Sequence, residues 1–144
     1  MVSVLIADDS QTVRMLLREW LTQAGYAVDE AADGQQALAK LQTITGRVVV
    51  LLDYQMPVMD GYEMLRQAAG AGMLPPRFSY VMISAAVDTF PPEFLVLLRQ
   101  MGIQILHKPA DRDTVLGVTR FLITRMEQAA NVSATPPDKT SGVV

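Results

Sequence analysis

The chain has 144 residues, half of them apolar, which suits one domain with a full hydrophobic core. Its net charge of −3 argues against a nucleic-acid binder, and the absence of cysteine excludes a disulfide scaffold and a thiolate zinc site. The first residues lack the basic segment of a signal peptide, and no apolar run approaches the roughly 20 residues of a membrane span. We therefore expect a cytoplasmic protein that binds neither membrane nor nucleic acid.

Short apolar runs alternate along the chain with stretches in which apolar residues recur at helical spacing. The runs predict strands over residues 2–7, 26–31, 48–52, 80–84 and 103–107. Ser10 is a favourable N-cap for the first intervening helix, and Gly25 is a favourable C-cap. The last helix is predicted over residues 112–128. From Asn131 onward the chain is polar, which predicts a flexible tail.

Strict alternation of strands and helices predicts an α/β fold, a parallel sheet with helices on both faces. The short crossovers favour a doubly wound, flavodoxin-like sheet with strand order 2-1-3-4-5, because a barrel would need about eight strand–helix units. We assign residues 1–130 to this domain and residues 131–144 to the tail. Met1 lies close to the first strand, which favours a native N-terminus.

The most apolar strand ends in a carboxylate. Val48–Leu52 is a continuous apolar run, typical of a strand buried on both faces, and Asp53 follows it directly. Pro57 cannot continue a central strand. Asp53 is therefore predicted at the carboxyl end of a core strand, where open α/β sheets carry their ligand sites. Taken alone, it could equally cap a loop.

Other predicted strands also end in polar groups, and in a parallel sheet these ends lie along one edge. The residues at these ends are Asp8, Asp9, Asp53, Ser84 and Lys108. Clustered carboxylates raise one another's pKa, and a hard cation such as Mg²⁺ removes the conflict. Each residue has an ordinary explanation by itself, for example acidic residues before a helix, which the helix dipole favours. Their conjunction predicts a shared site.

These motifs resemble those of the receiver domain of bacterial response regulators. The resemblance covers about residues 2–128. It rests on separated motifs in the expected order: Asp8-Asp9, Asp53 with Met56-Pro57 and Asp60-Gly61, Ser84-Ala85, and Gly102 leading to Lys108-Pro109.

The resemblance implies a role for each site residue. Asp53 is the implied phosphoacceptor, Lys108 is implied to hold the phosphoryl group, and Ser84 to turn toward it after transfer. For Mg²⁺, the implied ligands are Asp9, Asp53, the backbone carbonyl of Gln55, and Asp8 through water. The Lys108-Pro109 peptide bond is expected to be cis.

The implied reaction is in-line attack of the Asp53 carboxylate on phosphorus, with the metal neutralising charge. The implied donor is a phosphohistidine on a sensor histidine kinase or a histidine phosphotransfer protein. The only histidine of this chain is His107, which should point away from the site because Lys108 points in. The expected protein is a two-component phosphorelay component that phosphorylates and dephosphorylates itself, and not a turnover enzyme.

Two departures from the receiver pattern concern signal output. Ile105 stands where receivers usually carry an aromatic residue, so the usual aromatic switch is missing. The fourth helix contains the apolar run Phe94–Leu98, more than one buried face needs. Either this helix packs deeply, or it exposes an apolar patch that meets a downstream protein or a second copy, as in a homodimer. The sequence favours signalling through the stretch from Ser84 to Met101.

Two other functions compete with a receiver. Phosphohydrolases that form an aspartyl phosphate need Mg²⁺ and a second Asp two residues after the nucleophile, where this chain has Gln55. A flavin-binding protein would need a Ser/Thr-rich phosphate loop, whereas Asp8 and Asp9 repel phosphate. The tail could be a linker to an output domain. No DNA-binding, diguanylate-cyclase or kinase pattern occurs in the sequence itself.

Overall fold

A computed structural model describes the backbone of residues 1–134 and the side chains through Asn131. Within this part, every strand belongs to a single sheet. The strands are β1 (Val2–Ala7), β2 (Ala27–Ala31), β3 (Arg47–Leu52), β4 (Phe78–Ser84) and β5 (Gln104–His107). The sheet is parallel throughout and has the order β2-β1-β3-β4-β5, which confirms the predicted flavodoxin-like topology.

The helices follow the strands in the predicted alternation. They are α1 (Gln11–Gln23), α2 (Gly34–Thr43), α3 (Gly61–Gly70), α4 (Pro92–Gln100) and α5 (Arg112–Ala134). The Ser10 hydroxyl accepts a hydrogen bond from the Val13 N–H, as expected of an N-cap. The residue that caps the other end of α1 is Ala24. Gly25 comes next and adopts φ of +94°, a left-handed conformation that glycine accommodates without strain.

Two hydrophobic layers cover the sheet, one on each face. On one face, side chains of β3 and β4 pack against α2, α3 and α4, with Phe94 and Met64 fully buried. On the other face, alternate residues of the same strands pack against α1 and α5, with Val49 and Leu21 fully buried. Because side chains alternate along a strand, the central strands contribute to both layers and consist almost wholly of apolar residues.

Some boundaries differ from the predicted ones. A short 3₁₀ helix, Val87–Thr89, lies between β4 and α4 and was not predicted. Helix α5 continues past Gln128 to Ala134. Alanines 129 and 130 favour the helix, and no Gly or Pro occurs before Pro136. The remaining residues of the predicted tail, 135–144, lie outside the described residues, and the division into domain and tail stays a prediction.

Helix α4 combines the two alternatives that its sequence left open. Phe94 and Leu98 are buried, whereas Leu95 and Val96 are 39% and 48% exposed. Half-buried Ile105 of β5 packs against the same layer as Phe94. Within residues 1–134, no helix has both the length and the apolar character that crossing a membrane requires.

Candidate functional site

The register of the sheet places the predicted site residues side by side. Ala7 of β1 pairs with Leu52 of β3, so Asp8 and Asp53 leave neighbouring strands at the same level. The Asp53 N–H donates to the Ala7 carbonyl over 2.9 Å. Two strands away, the Lys108 N–H donates to the Ser84 carbonyl over 3.0 Å, which anchors the end of β5 to the end of β4. The Lys108–Pro109 peptide bond is cis, as expected.

The three predicted carboxylates form one cluster. Asp8, Asp9 and Asp53 each place a carboxylate oxygen within 4.8 Å of the others. Asp8 and Asp53 are only 3% and 7% exposed, whereas Asp9 faces solvent. Lys108 Nζ lies between the two buried acids, 2.7 Å from Asp8 Oδ2 and 3.1 Å from Asp53 Oδ2. One cation therefore faces three carboxylates, which leaves an excess of negative charge.

Backbone N–H groups orient the two buried carboxylates. The Tyr54 N–H donates to Asp53 Oδ1 over 2.7 Å, and the Ser10 N–H donates to Asp8 Oδ1 over 2.8 Å. Each buried acid thus uses one oxygen for the backbone and the other for Lys108. Such charge-assisted hydrogen bonds hold a carboxylate in one orientation.

The charges in this cluster affect one another. Burial, followed by the negative charge of Asp8, raises the pKa of the Asp53 carboxyl, and the nearby Lys108 only partly offsets this. Burial acts to lower the pKa of Lys108, but its hydrogen bond to Asp8 and the charges of both acids prevail and raise it. Lys108 is therefore a permanent cation at neutral pH, and Asp53 is a carboxylate whose charge costs free energy.

Asp9 differs from the two buried acids. Among the described residues its carboxylate has neither a hydrogen bond nor an ion pair. An open cleft is lined by Asp9, Tyr54, Gln55, Met56, Pro57 and Asp60. Three oxygen donors with excess negative charge match the preference of Mg²⁺ for hard oxygen ligands, so the residues present fit this ion.

The Ser84 hydroxyl lies at the end of β4. It is buried and accepts a hydrogen bond from the Ala86 N–H over 3.0 Å. This bond links the hydroxyl to the loop that leads into α4. A hydroxyl that changes partner here would therefore lose its hydrogen bond to that loop.

A cluster of aromatic rings connects the site to α4. Tyr54, the residue after Asp53, places its ring centroid 4.6 Å from Phe90 and 5.3 Å from Phe94. Tyr62 of α3 also stacks on Phe94, with ring centroids 4.8 Å apart. Aromatic pairs in this distance range attract each other beyond their buried area. Tyr54 thus contacts the candidate site through its N–H and α4 through its ring.

Other polar residues of the sequence have ordinary roles. Asp33 and Asp60 cap α2 and α3, where their carboxylates accept from the N–H groups of Gln36 and Glu63. His107 is exposed on the edge strand.

Sequence reasoning missed two residues at the site, Tyr54 and Arg14. Arg14 donates from Nη1 to the Asp8 carbonyl over 2.6 Å. A signal for Arg14 existed, because helix side chains tilt toward the N-terminus, and α1 begins beside the acidic strand end.

Comparisons with known proteins agree with this geometry. The family model for the response regulator receiver domain matches residues 4–120. The two-component response regulator ORR41 of Oryza sativa subsp. japonica is 31% identical over 121 residues, which cover 82% of this chain and 91% of that protein. A CheY-like receiver domain crystal structure from Methanospirillum hungatei JF-1 is 27% identical with a TM-score of 0.77, and the match covers 88% of this chain and 98% of that one.

Similarity also extends to much larger proteins. The sensor protein EvgS of Escherichia coli (strain K12) is 47% identical over 66 residues, which are 46% of this chain but only 5% of that protein. The chain thus spans a small part of some relatives and nearly the whole of others. The match to the receiver model covers most of the sequence and includes all the site residues described above. The chain belongs to the response regulator receiver domain family.

Proposed function

We propose that this chain accepts a phosphoryl group on Asp53 from a phosphohistidine of a sensor kinase or phosphotransfer protein, and that it requires Mg²⁺. The single observation that carries this proposal is the environment of the Asp53 carboxylate. It lies at a strand end with Tyr54 N–H on one oxygen, Lys108 on the other, and two further carboxylates within 4.8 Å. The exclusion of water at 7% exposure strengthens each of these interactions.

In the proposed step, the phosphoryl group moves from an imidazole nitrogen of the partner protein to Asp53 of this chain. An Asp53 carboxylate oxygen attacks phosphorus, and the bond between phosphorus and the histidine nitrogen breaks with its electron pair going to the imidazole. Lys108 Nζ, already beside Asp53 Oδ2, is placed to pair with a phosphoryl oxygen. The Ser84 hydroxyl can donate to another after turning away from the Ala86 N–H.

Magnesium fits the donor set, and the residues that would hold it are Asp9, Asp53, the Gln55 carbonyl and, through water, Asp8. When bound, the ion supplies the positive charge that the phosphoryl oxygens need during transfer. The surroundings of Asp53 disfavour its charge, because burial and the neighbouring Asp8 raise the pKa of its carboxyl. A cation at this position relieves that penalty.

Asp9→Ala tests the metal site. It should weaken Mg²⁺ binding, measured by calorimetric titration, by at least tenfold. Asp33→Ala is the matched control, since the Asp33 carboxylate caps α2 and does not line the cleft beside Asp9. It should lower the melting temperature and leave Mg²⁺ affinity nearly unchanged. Equal losses of affinity in both variants would argue that the acids are only structural.

The main experiment separates a phosphoacceptor from a hydrolase. The protein is incubated with acetyl phosphate and Mg²⁺, and both protein-bound and free phosphate are followed. A receiver gains one hydroxylamine-labile phosphate per chain, and Asp53→Asn gains none. Steady release of phosphate over many turnovers would favour the aspartyl-phosphate hydrolase, and undiminished labelling of Asp53→Asn would contradict the assignment.

We further propose that the output passes to a protein partner through α4. Its support is the ring cluster that joins Tyr54 to Phe90 and Phe94, together with the exposed Leu95 and Val96. Hydrogen exchange should differ between the free and the beryllofluoride-loaded protein, with the largest change in residues 85–101 and little in residues 103–106. A change confined to β5, with α4 silent, would contradict this route.

A further inference from the structure

We infer that Arg14 is a positioning residue for the metal site: it holds the Asp8–Asp9 peptide and thereby aims the Asp9 carboxylate. This inference rests on the proposed function. Arg14 Nη1 donates to the Asp8 carbonyl over 2.6 Å, and Arg14 Nε pairs with Glu30 Oε1 over 3.2 Å. The Arg14 side chain is only 16% exposed, and its ion pair with Glu30 fixes it against the end of β2.

The Asp8–Asp9 peptide matters because the Asp9 carboxylate has no side-chain or backbone partner among the described residues. Asp8 is held by the Ser10 N–H, by Lys108 and by its own N–H, which donates to the Ala31 carbonyl over 3.1 Å. Among the described residues nothing binds the Asp9 carboxylate. Its direction is therefore set by its own backbone. The Asp8 carbonyl shares a peptide plane with the Asp9 N–H, and this carbonyl accepts the hydrogen bond from Arg14.

Arg18 provides a matched control. It lies one helical turn after Arg14 and pairs with the same Glu30, from Nε to Oε2 over 2.9 Å. Its Nη1 donates to the Val28 carbonyl, away from the acidic cluster. Replacing either arginine removes one cation and one ion pair with Glu30, but only the replacement of Arg14 releases the Asp8 carbonyl.

A positioning role and a purely electrostatic effect of Arg14 predict opposite changes in Mg²⁺ affinity when this residue is replaced. Arg14 is a cation near a cation-binding site, so removing its charge alone should strengthen Mg²⁺ binding. If Arg14 positions Asp9, Arg14→Met should instead weaken binding, by about tenfold to a hundredfold as for other residues that orient metal ligands. Arg18→Met should change the affinity by less than about threefold.

The test is an Mg²⁺ titration of the wild type, Arg14→Met, Arg14→Lys and Arg18→Met, followed by backbone amide chemical shifts. We expect a loss of about tenfold to a hundredfold in Arg14→Met and partial recovery in Arg14→Lys, which keeps the positive charge and can still donate to a carbonyl. In the metal-free protein, the Asp9 and Ser10 amides should shift in Arg14→Met and not in Arg18→Met, while the two methionine variants lose similar thermal stability. Should Arg14→Met be too unstable to titrate, Arg14→Gln against Arg18→Gln gives the same comparison, because glutamine also removes the charge.

The outcomes distinguish this inference from the function on which it rests. Failure of the wild type to bind Mg²⁺ would remove the proposed metal site, and the role of Arg14 with it. A wild type that binds Mg²⁺, together with an Arg14→Met variant of equal or higher affinity, would overturn the positioning role alone. A loss of affinity shared equally by Arg14→Met and Arg18→Met would also overturn it, because the effect would then come from Glu30.

Discussion

Gly61 tests how tightly the helix after the site is packed against Asp53. Gly61 is the first residue of α3, and its N–H donates to the Tyr54 carbonyl over 2.8 Å. A Cβ added at this position would lie 2.3 Å from the Asp53 carbonyl oxygen and 3.1 Å from Tyr54 Cα. These atoms are backbone and cannot rotate away, so Gly61→Ala must displace either α3 or the residue that we propose as the phosphoacceptor.

The cost follows from this overlap. Overpacking against rigid neighbours costs about 1–3 kcal/mol, and the better helix propensity of alanine returns up to about 1 kcal/mol. We expect Gly61→Ala to lower the free energy of unfolding by about 1–2 kcal/mol. Gly70→Ala is the matched control, because Gly70 lies in the same helix, is exposed, and has no atom within 4 Å of an added Cβ. That control should be neutral or gain about 0.5 kcal/mol.

The assay is urea unfolding followed by the fluorescence of the single tryptophan, Trp20, and by circular dichroism. With a slope of about 2 kcal/mol per molar urea, Gly61→Ala should unfold at a midpoint lower by about 0.5–1 M. Labelling by acetyl phosphate should fall as well, because the Asp53 carbonyl is displaced. If Gly61→Ala and Gly70→Ala unfold at the same urea concentration, the helix after the site is not packed tightly against the Asp53 backbone.

Two other predictions concern stability. The pKa of Asp53 is raised in the folded protein by burial and by Asp8, so its contribution to stability is full below the ordinary aspartate pKa and is lost as the pH rises through the folded value. Without metal, Asp53→Asn should therefore have a higher urea midpoint than the wild type at pH 7, and this difference should narrow toward pH 3.5. The control Asp88→Asn, at an exposed position, should have the wild-type midpoint. A difference for Asp53→Asn that does not depend on pH would contradict this prediction. Val58 is 76% exposed and has φ of +68°, which a β-branched residue adopts only under strain. Asparagine tolerates this conformation better, so Val58→Asn should raise the free energy of unfolding by about 1 kcal/mol. An unchanged urea midpoint would count against this prediction.

Most of the fold was predictable because its strands are unusually apolar. Val48–Leu52 is typical of a strand buried on both faces, and the alternation of such runs with helices leaves few topologies. The polar residues at the strand ends then had to share one edge of the sheet. The end of α5 is less predictable, because low apolar content favours an end to the helix near Gln128, whereas no Gly or Pro is present there to break it.

Contacts within the site were less predictable, since they depend on side-chain directions. The sequence does not show whether Asp8 or Asp9 forms an ion pair with Lys108. In the structure Asp8 forms this ion pair, and Asp9 is exposed. The sequence also does not show that Tyr54 contacts α4, because that requires the positions of Phe90 and Phe94 in three dimensions. The reach of Arg14 to the Asp8 carbonyl is a contact of the same kind.

The central claim is that Asp53, and no other acid of the cluster, carries the phosphoryl group. The most direct measurement is chemical trapping after incubation with acetyl phosphate and Mg²⁺. Borohydride reduces an aspartyl phosphate to homoserine, and peptide mass spectrometry locates the converted residue. We expect conversion at Asp53 alone and only in the presence of Mg²⁺. Conversion at Asp8 or Asp9, or conversion that does not depend on the metal, would contradict it.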